Sequence, residues 1–272
     1  MISIAHLINP VNVPSDSDLG RAQPVTFATM KAARDHAQHC RVEQFSAQFA
    51  EDREGIPAFI TPTPDLERSV LDTASFRVAR KLPLMADLLQ RLGNASDAEY
   101  LIYSNVDIAL QPTFYTAVAG LAAKGFDAFA INRRTISDRY HDPADLPLMW
   151  PQVGKPHPGW DCFVFHRSLM DGFRTGNACI GAGWIGRVML TNLACLSRRF
   201  QVFTDLHLTF HLGNQRQWRQ EIFRDYLLHN ARECAAVLLE FDRLSGPLDR
   251  DTIPGRFFIQ LEKTLPERRQ TK

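Results

Sequence analysis

The chain has 272 residues, 45% of them hydrophobic and 22% charged, with a formal net charge of +1. That length suits one large α/β domain with a proper core, and the near-zero charge leaves no overall field to draw nucleic acid or an anionic membrane. Five scattered cysteines (Cys40, Cys162, Cys179, Cys195 and Cys234) form no C-x-x-C pair, which argues against a disulfide framework or a structural zinc site and for a reducing compartment.

No basic stretch followed by a long apolar one opens the sequence, and no window nears the ~20 apolar residues of a membrane helix. The expected location is therefore cytoplasmic. No G-x-G-x-x-G follows a strand and no G-x-S-x-G occurs, so a dinucleotide-binding oxidoreductase and a serine hydrolase lack their phosphate loop and nucleophile elbow. No nucleic-acid motif is present, and none is expected as a partner.

Ile2 to Ile8 reads as a first strand ended by Asn9-Pro10, with Val11 to Gly20 a polar loop. Pro24 is placed to open a helix burying Phe27, Met30 and Ala33, because an early helical proline forfeits an N–H that has no partner anyway. Val42 to Phe49 alternates as a second strand, and Glu51 to Leu66, holding Gly55, Pro57, Pro62 and Pro64, is expected to be irregular. Arg68 to Ala79 and Leu82 to Leu92 read as helices, the latter with an apolar face stopped by Gly93-Asn94.

Tyr100 to Tyr103 is an apolar run without helical periodicity, suited to a strand covered on both faces. Ser104, Asn105 and Asp107 follow it. A helix from Pro112 to Gly125 and a strand from Phe126 to Ile131 complete a βαβ-like unit. Asn132 to Gly159 contains Pro143, Pro147, Pro151, Pro156 and Pro158 beside Tyr140, Met149 and Trp150, and reads as an ordered loop covering a site. Cys162 to His166 is a short strand, Gly181 to Trp184 opens a helix to about Leu196, and Gln201 to Phe210 contains a strand ending near His207 to His211. From Gln215 a long amphipathic helix carries Trp218, Phe223 and Tyr226 with Arg216, Arg219 and Arg224. Roughly the last thirty residues, with Pro254, Gly255 and a charged end, read as peripheral.

Open α/β sheets bind ligands at the carboxyl edge of their strands. There, a carboxylate with a polar neighbour two residues away can grip a divalent cation, and the cation can neutralise a diphosphate. Asn105-Val106-Asp107 offers that pair, although an isolated Asn-x-Asp is also a common turn. Arg133 and Arg134 follow a strand and suit paired bonds to phosphate, with a solvated loop as the alternative. Trp160 offers a broad aromatic face with a polar handle, and His207 and His211 stand four residues apart.

In order along the chain, the strand with Asn105-Val106-Asp107, the phrase Phe126 to Arg134, the phrase Gly159-Trp160-Asp161-Cys162-Phe163-Val164-Phe165 and the late His207/His211 resemble glycosyltransferases of the GT-A fold, over roughly Ile2 to Trp218. The resemblance implies an α/β fold: one domain over 1–272, a mixed, mainly parallel sheet flanked by helices, with 215–272 a C-terminal helical extension. It implies a metal-assisted transferase that moves a sugar from a nucleotide-diphosphate donor to a hydroxyl of a carbohydrate or lipid-linked acceptor. Mn2+ or Mg2+ would be held by Asp107 and Asn105 with a late histidine, His211 in preference to His207 because Gly213 leaves room beside it. Asn9 and Asp16, in the loop after the first strand, would meet the nucleotide, with Arg133 or Arg134 on its phosphates. Asp161 would take the proton from the acceptor.

The family's motif is Asp-x-Asp, and here Asn105 stands first. A neutral amide supplies no charge to a cation, which leaves room for a catalytically inactive nucleotide-sugar-binding module. A nucleotidyltransferase is the other enzyme class weighed, and Val11 to Gly20 lacks the glycines of its phosphate loop. The basic amphipathic helix from 215 reads first as a core-packing or dimer helix, with contact to the inner face of the membrane as its other use.

Overall fold

The computed structural model describes residues 1–213 and 220–265. The chain clusters into two compact units. The first holds Met1–Glu67, Leu88–Met170 and the described residues from Ser197 to 213. Its elements are β1 (Ile2–Ile8), α1 (Asp18–His36), β2 (Cys40–Ser46), β3 (Thr61–Pro62), β4 (Tyr100–Ser104), β5 (Ala109–Leu110), α3 (Phe114–Ala123), β6 (Ala128–Ile131), β7 (Arg134–Ile136), α4 (Leu146–Met149), β8 (Lys155–Pro156), β9 (Cys162–His166), β10 (Phe200–Phe203) and β11 (Thr209–Leu212), with most of α2 (Met85–Ala95).

Seven strands form the main sheet in the order β10-β6-β9-β4-β1-β2-β3. All neighbours are parallel except β9, which runs antiparallel to both β4 and β6. This is the expected mixed, mainly parallel sheet. Every residue of β4 is buried, as its unbroken apolar run requires of a strand covered on both faces. Ile4, Ile8, Ile102, Phe114, Phe129 and Val164 meet in the core between sheet and helices.

Helix α1 starts six residues ahead of Pro24, at Asp18. Ser17 caps it by accepting from the Gly20 N–H at 3.0 Å, and Gly20 is required because a Cβ there would stand 2.1 Å from the Pro14 carbonyl oxygen. The cap outweighs the proline, whose lost bond costs one rung inside the helix. Between 132 and 159 the chain is more regular than its prolines suggest. β7 and β8 join a second sheet in the order β5-β11-β7-β8, over a small core of Val25, Ala109, Ile136, Leu146, Met149 and Phe210. The single strand expected between Gln201 and Phe210 is two, β10 and β11, one in each sheet.

The second unit holds Arg68–Asp87, Asp171–Leu196 and the described residues 220–265, with α5 (Ile185–Leu196), α6 (Arg224–Ser245) and α7 (Ile253–Thr264). Arg68 to Ala79 is not a helix: it makes one 3-10 turn at Val70–Asp72. Phe76 stacks flat on Tyr226 at 3.9 Å, and the Tyr226 hydroxyl bonds the Val78 carbonyl and the Arg80 N–H, both at 2.7 Å. The apolar residues that suggested a helix are thus used against α6. The last described stretch, expected to be peripheral, is packed: α7 buries Phe257 and Leu261. Arg216, Trp218 and Arg219 lie outside the described residues, while Phe223 and Arg224 stand at the start of α6, which exposes Leu239 and Leu244. Among the described residues no helix is long and apolar enough to cross a membrane.

Candidate active site at the carboxyl edge of the sheet

Three strand ends of the first unit build the site. β4 ends at Ser104, and the register Ser104↔Cys162 of the antiparallel pair puts Asn105 beside Asp161, just ahead of β9. The Asn105 N–H donates to the Asp161 carbonyl at 3.0 Å, and the Asn105 Nδ2 donates to Asp161 Oδ1 at 3.2 Å. β6 lies on the other side of β9, so the chain leaving it carries Arg133 to Asp161. The Arg133 Nη1 donates to Asp161 Oδ2 and its Nη2 lies 3.3 Å from His157 Nε2.

The third contributor is the small sheet. β11 pairs with β5, Phe210 opposite Ala109, which carries His211 to Asp107. The His211 Nε2 is 3.2 Å from Asp107 Oδ2, and its Nδ1 lies 2.9 Å from the Gly213 carbonyl oxygen. A carbonyl only accepts, so Nδ1 carries a proton. Gly213 reaches this position with φ +67°, a left-handed backbone that glycine adopts freely. A neutral ring would then aim a lone pair at a carboxylate, so a proton or a cation must lie between Nε2 and Oδ2. Burial pulls the His211 pKa down, but the bond and charge of Asp107 outweigh it and the net direction is up. Burial pushes Asp107 up, and His211 and Arg133 reverse that to a net lowering. Asp161 goes the other way: burial raises it, Asp107 adds to the rise, and Arg133 only partly offsets them.

Asp107 Oδ1, Asn132 Oδ1 and Arg133 Nε are buried without a hydrogen-bond partner, which is rare for polar atoms inside a fold. Among the described residues no three His, Cys, Asp or Glu side chains are grouped to hold a metal ion. One carboxylate and one imidazole, Asp107 and His211, are nevertheless the number of protein ligands that suffices when a substrate's phosphates and water complete the shell.

Other expected site residues stand elsewhere. Ser104 is fully buried, 2.8 Å from His6 Nε2 in the core. His207 is not brought to Asp107: its Nε2 lies 3.2 Å from Gln111 Nε2, and it stands ahead of β11, whereas His211 lies within it. It lines a groove of about 490 Å3 with Ala117, Gly120 and Leu121 of α3 and Lys124 just past its end, which none of Asp107, Asp161 and His211 lines. Arg134 turns away from Asp161 to the Val153 and Gly154 carbonyls. Asn9 is buried and tied to the Ala47 carbonyl at 2.6 Å, and Asp16 is exposed in the turn before α1. Trp160 is half-buried next to Asp161.

Sequence reasoning did not find Tyr103, whose hydroxyl donates to Asn105 Oδ1 at 3.2 Å, or His157, whose Nδ1 accepts from the Gly159 N–H at 2.9 Å. Pro156-His157-Pro158-Gly159 is a turn signature, and that was the one available hint for His157.

No family model and no curated protein matches the sequence. Among solved structures, residues 1–349 of S. aureus TarS match with 8% identity over 97% of this chain and 72% of that one, at a TM-score of 0.55. The same protein in complex with UDP-GlcNAc matches with 9% identity over 98% and 82%, at 0.51. A mannosyltransferase from Pyrobaculum calidifontis in complex with GDP-Man and Mn2+ matches with 13% identity over 95% and 68%, at 0.50. These neighbours are GT-A glycosyltransferases. At such identities the likeness carries architecture alone, and it agrees with the mixed seven-stranded sheet: the chain has the GT-A fold.

Proposed function

We propose that the protein is a glycosyltransferase that takes a sugar from a nucleoside-diphosphate donor and passes it to an acceptor hydroxyl. The observation that carries this reading is the Asp107–His211 contact at the sheet's carboxyl edge, where one carboxylate oxygen, Oδ2, meets a ring nitrogen and the other, Oδ1, is buried without a partner. Neighbours of the same fold bound to UDP-GlcNAc, or to GDP-Man with Mn2+, support the donor class.

Asp107 and His211 are the residues that would hold a divalent cation, and a mixed oxygen and nitrogen pair suits Mn2+ better than Mg2+. Bound there, the cation offsets negative charge on the diphosphate leaving group. Arg133 stands 28 residues from Asp161 in sequence but in contact with it, and its guanidinium adds a second positive centre for phosphate. Asp161 accepts the proton of the attacking hydroxyl. Its raised pKa suits that work, because a base nearer neutrality takes protons more readily. Trp160 offers the acceptor an aromatic face. Asn9 and Asp16 belong to the nucleotide end of the same edge in this reading.

The test is a panel of UDP- and GDP-sugars incubated with the protein and Mn2+, followed for transfer to simple sugars and for slow donor hydrolysis. Turnover of one donor that Asp107→Ala abolishes supports the proposal. A mutant that turns over as fast as wild type removes it. Tight donor binding without any turnover would identify the binding module instead, a reading favoured by the neutral amide of Asn105.

A further inference from the structure

The first position of the Asn-x-Asp stretch is read most simply as a weakened metal ligand. Its surroundings argue otherwise. Asp161 Oδ1 accepts only, so the Asn105 group facing it at 3.2 Å is the NH2. The amide oxygen then faces the Tyr103 hydroxyl at 3.2 Å. Burial, with the charges of Asp107 and Asp161, pushes the Tyr103 phenol far above its ordinary range, so this hydroxyl keeps its proton and donates it to Oδ1. Both ends of the amide are thereby committed, and the backbone N–H of Asn105 is held by Asp161 as well.

We infer that Asn105 is a positioning residue for Asp161 and not a ligand of cation or donor. The buried Tyr103 hydroxyl orients the amide, the amide NH2 holds one oxygen of Asp161, and Arg133 holds the other. An aspartate in place of Asn105 would set two carboxylates face to face across 3.2 Å, where both cannot ionise without cost. On this account asparagine stands here because a carboxylate sits across the β4/β9 pair, and restoring the family's acidic motif damages the site. The inference rests on the proposal that Asp161 is the base. It adds that the base is oriented from the neighbouring strand end.

Two readouts test it. The first is thermal melting of the unliganded protein as wild type, Asn105→Asp, Asp161→Asn and the combined exchange. Each single variant should melt about 2–4 °C lower, and the exchange should recover half or more of the summed loss. In the exchange, the amide moved onto β9 would donate to the carboxylate moved onto β4 and accept from Arg133, which remakes the network with its charges swapped. Losses that simply add overturn the inference, since uncoupled sites are additive.

The second readout is a split of kinetic constants with whichever UDP- or GDP-sugar is turned over. Asn105→Asp should lower kcat on the order of 10- to 100-fold, with donor KM and the Mn2+ midpoint within about twofold. A variant that binds Mn2+ more tightly and turns over faster would mean that residue 105 ligates the cation, which contradicts the inference. If wild type turns over no donor at all, the transferase reading fails by itself, and the melting cycle still decides whether Asn105 and Asp161 are coupled.

Discussion

Two histidines of the first unit show how differently one side chain behaves a few strands apart. His6, in the middle of β1, is fully buried, with Nδ1 at 2.9 Å from the Tyr115 hydroxyl and Nε2 at 2.8 Å from Ser104 Oγ. Gln44 continues the chain by donating to Tyr115 at 3.0 Å and to the Met30 carbonyl at 2.7 Å. No carboxylate reaches His6, so burial dominates and drops its pKa to about 3. His211, at the rim, is also buried but touches Asp107, and its pKa goes up. Burial alone decides the charge state until a carboxylate arrives at contact distance. The core histidine therefore stays neutral and ties β1 to β4 and α3, while the rim histidine shares a proton or cation with Asp107.

The largest expected effect lies on the core side of this contrast. In the unfolded chain an imidazole takes its proton near pH 6.5, whereas folded His6 takes it only near 3. Between these values the unfolded state holds more protons, so stability falls as pH falls. By pH 3 this one group removes about 4 kcal/mol. His6→Gln keeps a hydrogen-bonding group and deletes the titration, so its unfolding free energy should stay flatter from pH 6.5 to 3 in denaturant melts. Parallel curves for variant and wild type would break the comparison.

On the rim side, His211→Gln should cost less than that. Losing one ring nitrogen from a two-residue cation site is expected to weaken Mn2+ on the order of 100-fold, read by calorimetry with UDP present, while the loss of stability that His6 causes on acidification remains. An unchanged Mn2+ affinity would show that the ring serves only the Asp107 carboxylate. Gly213→Ala is the smallest change. Its left-handed φ of +67° costs a side-chain-bearing residue roughly 1–2 kcal/mol, and the shift of its carbonyl should loosen His211 Nδ1. A melting temperature a few degrees lower with a modest loss of Mn2+ affinity sharpens the contrast, because no comparable backbone device serves His6.

How much of this was legible follows from where each signal resides. β1 and β9 carry the bounds read from the sequence, and β4 differs by one residue, Ser104, because short, mainly apolar runs bounded by Asn9-Pro10, Asn105 and Arg167 announce themselves. The second sheet was hidden: β5 and β8 have two residues each, too short for periodicity to register. Helix α1 was started late because Pro24 is a louder signal than the Ser17 cap. In the site, Asp107 and Arg133 are legible because strand ends are visible in the sequence, and Asp161 and His211 through the resemblance to GT-A glycosyltransferases. Which of them touch is not. The Asn105–Asp161 pairing depends on the antiparallel register of β9 against β4, and the separation of His207 from His211 depends on the chain crossing from β10 in one sheet to β11 in the other, and neither leaves a local pattern.

The central claim is that Asp107 and His211 hold a cation against the diphosphate of a sugar donor. It is tested most directly by titrating Mn2+ into the protein with and without UDP, following free Mn2+ by electron paramagnetic resonance, for wild type and Asp107→Asn. The account predicts that UDP tightens Mn2+ binding to wild type at least tenfold, that Mn2+ tightens UDP by the same factor as linkage requires, and that Asp107→Asn loses both effects. Mn2+ binding that is indifferent to UDP, or unchanged in Asp107→Asn, would contradict it.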